Sequence, residues 1–169
     1  EEFSKADIEI KTIRLKENGL PKEDISFPSF KYSKIIKEDF EESDFYKRIS
    51  KKFLFIFFQF QGDELYLKSV RFWNMPNQDI LECKKVWDKT VQNIKNGDIV
   101  ESITNKGIRK TFFPNKKYNS VSHVRPHAKN KYDCFELPFP DKLTKVKKYT
   151  KHCFWLNASY IKNEVYLKS

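Results

Sequence analysis

The sequence predicts one α+β or α/β domain built around a mixed central β-sheet. Three stretches carry that expectation. "FLFIFFQF", 53 to 60, is apolar on both faces, as a strand buried in mid-sheet is. "ILECKKVWDKTVQNI", 80 to 94, places Ile80, Cys83, Trp87, Val91 and Ile94 at helical spacing. "DIEIKTIRL", 7 to 15, alternates apolar and polar residues like a half-buried strand. Strands come first and mixed elements follow, which argues for helices packed on a mixed sheet.

Taken in order, 7 to 15 is the first strand, with Ile8, Ile10, Ile13 and Leu15 as its apolar members. Its register slips near Thr12, which predicts a bulge or strand end there. Asn18-Gly19 and Pro21 punctuate a loop, and 25 to 32 is a short strand interrupted by Pro28. "SKIIKEDFEES", 33 to 43, is a short helix or helical loop with Ser33 as cap, and a further short helix covers 43 to 50. Gly62-Asp63 then forms a two-residue hairpin turn, and "LYLKSVRFW", 65 to 73, returns antiparallel. The long helix follows, with Pro76 in its first turn, Asn74 or Asn77 as cap and Gly97 as terminator. "IVESIT" and "RKTFFP" are short strands around Gly107. Residues 115 to 133 are a basic, turn-rich loop, and 141 to 151 a lysine-rich one. The chain closes with a strand and a helix over 151 to 168, with Asn157 as cap.

The length of 169 residues suffices for one domain with a real core, spanning 1–169. The first residue is glutamate, which predicts that the chain begins inside a longer protein. No apolar run approaches twenty residues, so no membrane span is expected. Basic residues outnumber acidic ones 33 to 23, for a net charge of +10, which favours a polyanionic partner, nucleic acid before anionic membrane. Sixteen phenylalanines separate the chain from a disordered basic tail. Cys83, Cys134 and Cys153 are widely spaced and form no zinc pattern, which predicts reduced thiols in a cytosolic protein.

Two stretches could carry chemistry. Glu9 and Lys11 lie at i and i+2 on a strand and share a face. Metal-dependent phosphodiester cleavage uses such a pair: the carboxylate holds the ion, and the ammonium orients water or stabilises charge. A second carboxylate is then needed, and Asp7 and Glu2 are the nearby candidates. On an exposed edge the same pair is only solvated charge, and spacing leaves both readings open. "SVSHVRPHAKNKY", 120 to 132, offers His123, Arg125, His127, Lys129 and Lys131. Arginine or lysine there can donate to a guanine edge and the others can neutralise phosphates, or the loop is merely solvated. His123 and His127 have a zinc-like separation, but Pro126 between them breaks a helix and no acidic partner adjoins them.

Several stretches together resemble the MutH family, which unites the mismatch-repair nicking endonuclease with type II restriction endonucleases that cut at GATC. They are "IEIKTIRLKENGLPKEDISF", "KKFLFI", "VWDKTVQNIKNGDIVESIT", "HVRPHAKN" and "HCFWLNASYIK", in family order across nearly the whole chain. The likeness is greatest to the second copy of the fold in restriction enzymes that carry two. It implies a PD-(D/E)xK restriction-endonuclease-like fold, with a mixed central β-sheet flanked by helices. It also implies Mg²⁺-dependent cleavage of double-stranded DNA in a bacterial cytoplasm. Glu9 and Lys11 fall on the family's E-x-K, and its aspartate falls on Glu2 rather than Asp7. A further family lysine falls at Lys47 or Arg48, Arg125 on the base-reading arginine, and His127 on a lysine beside it. The resemblance thus expects Glu2, Glu9 and Lys11 as catalytic residues, with Glu2 and Glu9 as metal ligands. It expects Lys47, Arg48, Arg125, His127 and Lys129 to contact DNA. Glutamate in place of the aspartate lengthens one ligand by a methylene, against the strict octahedral geometry of Mg²⁺. The second copy in such enzymes is a DNA-binding effector, so a second nuclease domain in the same chain is expected, and a dimer on DNA is allowed.

Overall fold

Two three-stranded sheets carry the molecule, each centred on a strand that the sequence makes apolar. Residues 5–168 are described in this computed structural model. The first sheet has the order β1-β3-β4, formed by Ile8–Leu15, Lys52–Gln61 and Glu64–Asn74. β3 lies in the middle, parallel to β1 and antiparallel to β4, so the sheet is mixed. Phe53, Phe55 and Phe57 point to one face and are buried, and Trp73 of β4 packs against Phe53 and Phe55. The fold is therefore α+β with a mixed sheet, as the sequence predicts.

The hairpin turns at Gly62, where φ is +61°, with Gln61 opposite Glu64. One bulge interrupts it between Phe57 and Phe58, leaving Lys68 without an opposite residue. The bulge expected at Thr12 is absent: β1 pairs with β3 without a shift from Ile8–Lys52 to Leu15–Gln59. The strand also begins at Ile8, leaving Asp7 outside it at φ +54°. Its sequence looked slipped because Glu9 and Lys11, not apolar residues, share the inward row with Ile13 and Leu15.

The second sheet is antiparallel, with the order β2-β10-β7 from Ile25–Ser26, His152–Leu156 and Ser122–Pro126. β2 is thus much shorter than the 25 to 32 expected, because the chain turns away after Ser26 ahead of Pro28. β7 lies inside the stretch expected to be a loop. Its Ser122, His123 and Val124 are buried, which basic composition concealed. Two small hairpins complete the strands: β5 (Val100–Ile103) with β6 (Arg109–Thr111), and β8 (Cys134–Glu136) with β9 (Lys148–Thr150). The first was expected; the second ends the lysine-rich segment read as loop.

The helix expected over 33 to 43 is only one turn, α1 (Tyr32–Ile35), and Ser33 lies inside it rather than capping it. A 3₁₀ turn, Phe40–Glu42, leads to α2 (Asp44–Ile49). Ser43 caps α2 by accepting from the Tyr46 N–H at 3.1 Å. The long helix α3, Asn77–Asn96, buries Cys83, Val86, Trp87, Val91 and Ile94. Neither asparagine caps it; Pro76 is the first cap and its carbonyl accepts from Asp79 and Ile80. Gly97 ends it in the left-handed conformation, as expected. The last helix, α4 (Ala158–Tyr160), continues as a π turn over Ile161–Tyr166. No helix of the described residues is long and apolar enough to cross a membrane.

Candidate nuclease-like centre and DNA-reading site

β1 delivers Glu9 and Lys11 to the inward face. Glu9 is only 8% exposed, an environment a lone carboxylate avoids unless it is paired. It has two partners. Lys11 Nζ lies 3.3 Å from Oε1, and Arg48 Nη1 lies 3.4 Å from both carboxylate oxygens. α2 supplies Arg48, whose Nε donates to Asp44 at 3.0 Å one helical turn earlier. Lys47 points to solvent, so of the two residues considered for the family lysine, Arg48 is the one that reaches Glu9.

Lys11 also donates to the Ser26 carbonyl of β2 at 3.0 Å and sits 4.6 Å from the centroid of the Phe27 ring. Its ammonium therefore joins the first sheet to the second. Burial lowers its pKa below the ordinary lysine value, and the Glu9 carboxylate opposes that shift. Lys11, Asp24 and Ser26 line one open groove together with Ile10, Ile13 and Arg14.

The expected Mg²⁺ requires several oxygen ligands in a near-octahedral array. Both oxygens of Glu9 already face cations. Among the described residues no three His, Cys, Asp or Glu side chains cluster as metal ligands. Asp7 is exposed and ion-paired to Lys51 at 2.8 Å. Glu2, the expected second ligand, lies outside the described residues. The described donor set therefore does not fit Mg²⁺ by itself.

A second centre lies across β2. Arg125, on β7, lays its guanidinium 3.9 Å from the centroid of the Trp155 ring of β10. Its Nη1 donates to Asp24 Oδ2 at 2.9 Å, and Lys116 Nζ reaches the same oxygen at 2.7 Å. The other Asp24 oxygen accepts from Ala158 N–H at 2.8 Å. Burial pushes the Asp24 carboxyl up, but Lys116, the Ala158 amide and His123 outweigh it and hold its pKa below the usual value. His123, beneath this group, is 3% exposed and bonded through Nδ1 to Asn157 Oδ1 at 2.5 Å. Burial lowers its pKa, so it stays neutral near pH 7.

The structure thus brings together Glu9, Lys11 and Arg48, and separately Arg125 with Trp155. His127 lies beside the second group: its ring packs T-shaped with that of Trp155, centroids 5.5 Å apart, and its backbone is tied to Lys151 and Ser29. Lys129 is exposed on the following turn, where its N–H donates to Asp133. The zinc-like spacing of His123 and His127 brings no metal group together among the described residues. Sequence reasoning missed Asp24, Lys116 and Trp155. Asp24 sits in an ordinary charged loop, and only the fold sets it 101 positions from Arg125 in sequence yet within hydrogen-bond distance. Trp155 lay in the quoted "CFWLN" stretch without an assigned role.

A mixed sheet with a buried carboxylate and a lysine two residues apart on one strand supplies the (D/E)xK part of the PD-(D/E)xK class of nuclease folds. The sequence profile described as "DNA mismatch repair enzyme MutH" matches residues 1–93. "Type II restriction enzyme Sau3AI" from Staphylococcus aureus is 32% identical over 193 residues, covering 98% of this chain and 39% of that enzyme. The chain belongs to the MutH family. It spans about two fifths of the length of that restriction enzyme.

Proposed function

We propose that this chain is a DNA-binding effector domain of a type II restriction endonuclease. It would recognise GATC in double-stranded DNA and act beside a second nuclease domain in the same larger chain. One observation carries the effector reading: the Glu9 carboxylate is closed by Lys11 and Arg48, so its cationic partners are built into the protein. Arg125, fixed on Trp155 with donors to spare, supplies base reading, and Lys116, Lys129 and Lys47 supply phosphate contacts. The net charge of +10 favours approach to the duplex and makes binding salt-dependent.

A second reading is kept for one observation. Glu9 and Lys11 stand 3.3 Å apart on a single strand face, the arrangement that phosphodiester hydrolysis uses. In that reading the domain itself cleaves at GATC as a divalent-metal nuclease with Glu2, Glu9 and Lys11.

The test incubates the chain with GATC-containing and scrambled duplexes in Mg²⁺ and in Ca²⁺. GATC-selective binding without cleavage is the expected result. Cleavage in Mg²⁺ that is lost in Lys11→Ala would replace the effector reading with the nuclease one. Equal binding to both duplexes would refute both.

A further inference from the structure

Asp24 holds an unusual position for a carboxylate in a basic protein. Its side chain is 5% exposed, yet two cations reach it from the surface. Arg125 uses one donor, on Nη1, and makes no other side-chain hydrogen bond among the described residues. Its guanidinium lies on the Trp155 ring and its own carbonyl accepts from Trp155 Nε1 at 3.4 Å, so stack and backbone lock one another. The remaining guanidinium edge, Nη2 with Nε, belongs to a side chain 42% exposed. Two parallel N–H groups on a fixed plane match the O6 and N7 acceptors of guanine.

We propose that Asp24 is a positioning residue for DNA recognition. It pins Arg125 over the Trp155 ring so that the free guanidinium edge meets a guanine, and it keeps Lys116 beside it for a neighbouring phosphate. This rests on the reading of Arg125 as the base-reading residue. Preorganisation is the physical gain: a long side chain fixed before binding loses no further rotamer freedom on the DNA. The anchor is itself rigid, because Asp24 is tied to the Ala158 amide at the start of α4. It lies directly before β2, whose Ser26 pairs with Trp155. Selectivity would therefore depend on a carboxylate that never touches DNA.

The test is Asp24→Asn, which keeps an acceptor for the Ala158 amide and removes the charge. GATC affinity should fall by about tenfold. Affinity for a scrambled duplex should stay within about twofold, since phosphate attraction persists. In an Arg125→Ala background the Asn change should cause no further loss of preference, because its effect passes through Arg125. Equal losses on both duplexes, or a preference lost additively with Arg125→Ala, would overturn the proposal. A measurement on the unmutated protein covers the case in which the variant does not fold. Guanidinium NMR should show separate Nη1 and Nη2 signals for Arg125, the mark of restricted rotation, and averaged signals would overturn the proposal. If the unmutated chain does not prefer GATC, the function proposed above fails and this inference with it. If it does prefer GATC and Asp24→Asn keeps that preference, only this inference fails.

Discussion

Acidification should weaken the fold through His152, and the size of the effect follows from its surroundings. His152 opens β10 opposite Pro126, one residue beyond Arg125 on β7. Its Nδ1–H donates to the Thr150 carbonyl at 2.7 Å, and the Tyr32 hydroxyl lies 3.1 Å from the same nitrogen. Nε2 is sealed and has no hydrogen-bond partner among the described residues; the rings of Phe113 and Tyr149 lie 5.1 and 5.5 Å away. A proton on Nε2 would bury a cation with no acceptor, so burial lowers the pKa from 6.5 to about 4, against a weaker opposing pull from Thr150. The unfolded chain therefore binds this proton more readily than the folded one. The stability contributed by neutral His152 is complete above pH 6.5 and is lost as pH falls towards 4. Linkage gives a loss of about 2 kcal/mol by pH 5 and about 3 kcal/mol by pH 4. His123 shifts in the same direction, so the informative quantity is a difference. Urea unfolding from pH 7.5 to 4.5 should show a steep decline in the unmutated protein and a shallower one in His152→Gln. Identical slopes in the two proteins would refute the assignment, whatever their absolute stabilities.

Three further outcomes are expected. Arg125→Ala should cost about 1–3 kcal/mol on a GATC duplex and much less on random DNA, by fluorescence anisotropy; an equal loss on both would make Arg125 a phosphate contact. Gly97→Ala should destabilise by about 1–3 kcal/mol from the left-handed backbone alone, and an added Cβ would lie 2.8 Å from the Pro140 carbonyl oxygen. An unchanged urea midpoint would contradict that. Phe55→Ala empties a fully buried place between Phe53, Phe57 and Trp73. It should cost about 3–5 kcal/mol, measured by the same unfolding assay, and a loss below about 1 kcal/mol would show that the sheet collapses around the gap.

What the sequence made legible divides along a physical line. The β3–β4 hairpin and α3 were readable because local pattern and tertiary burial agree there: Phe53, Phe55 and Phe57 fill the core, and Cys83, Trp87, Val91 and Ile94 form one helix face. The errors fall where tertiary contact overrides local chemistry. β7 looked like a solvated loop because Arg125 and Pro126 flank the buried Ser122, His123 and Val124. Asn157 looked like a side-chain cap for α4, yet its side chain turns to His123 and Asn119, and Asp24 supplies the acceptor for Ala158. The proposed capping residue was at the right position with the wrong partner, because the true one is 134 residues away in sequence.

The same logic explains why the Glu9–Lys11 strand misled as an alternation pattern. A strand specified only for stability places apolar residues in its inward row. β1 does so at Ile13 and Leu15, but its first half sets Glu9 and Lys11 in that same inward row while Ile10, at 39% exposure, faces out. Burying a carboxylate and an ammonium requires compensating partners. Arg48 comes from α2 and the Ser26 carbonyl from β2 to meet that need. Because Ser26 also pairs with Trp155, and Asp24 two residues before it holds Arg125, the short 24–26 segment touches both centres at once. A shift of β2 by the length of one hydrogen bond would disturb the Lys11 contact and the Trp155 platform together. The two polar centres therefore share one backbone support.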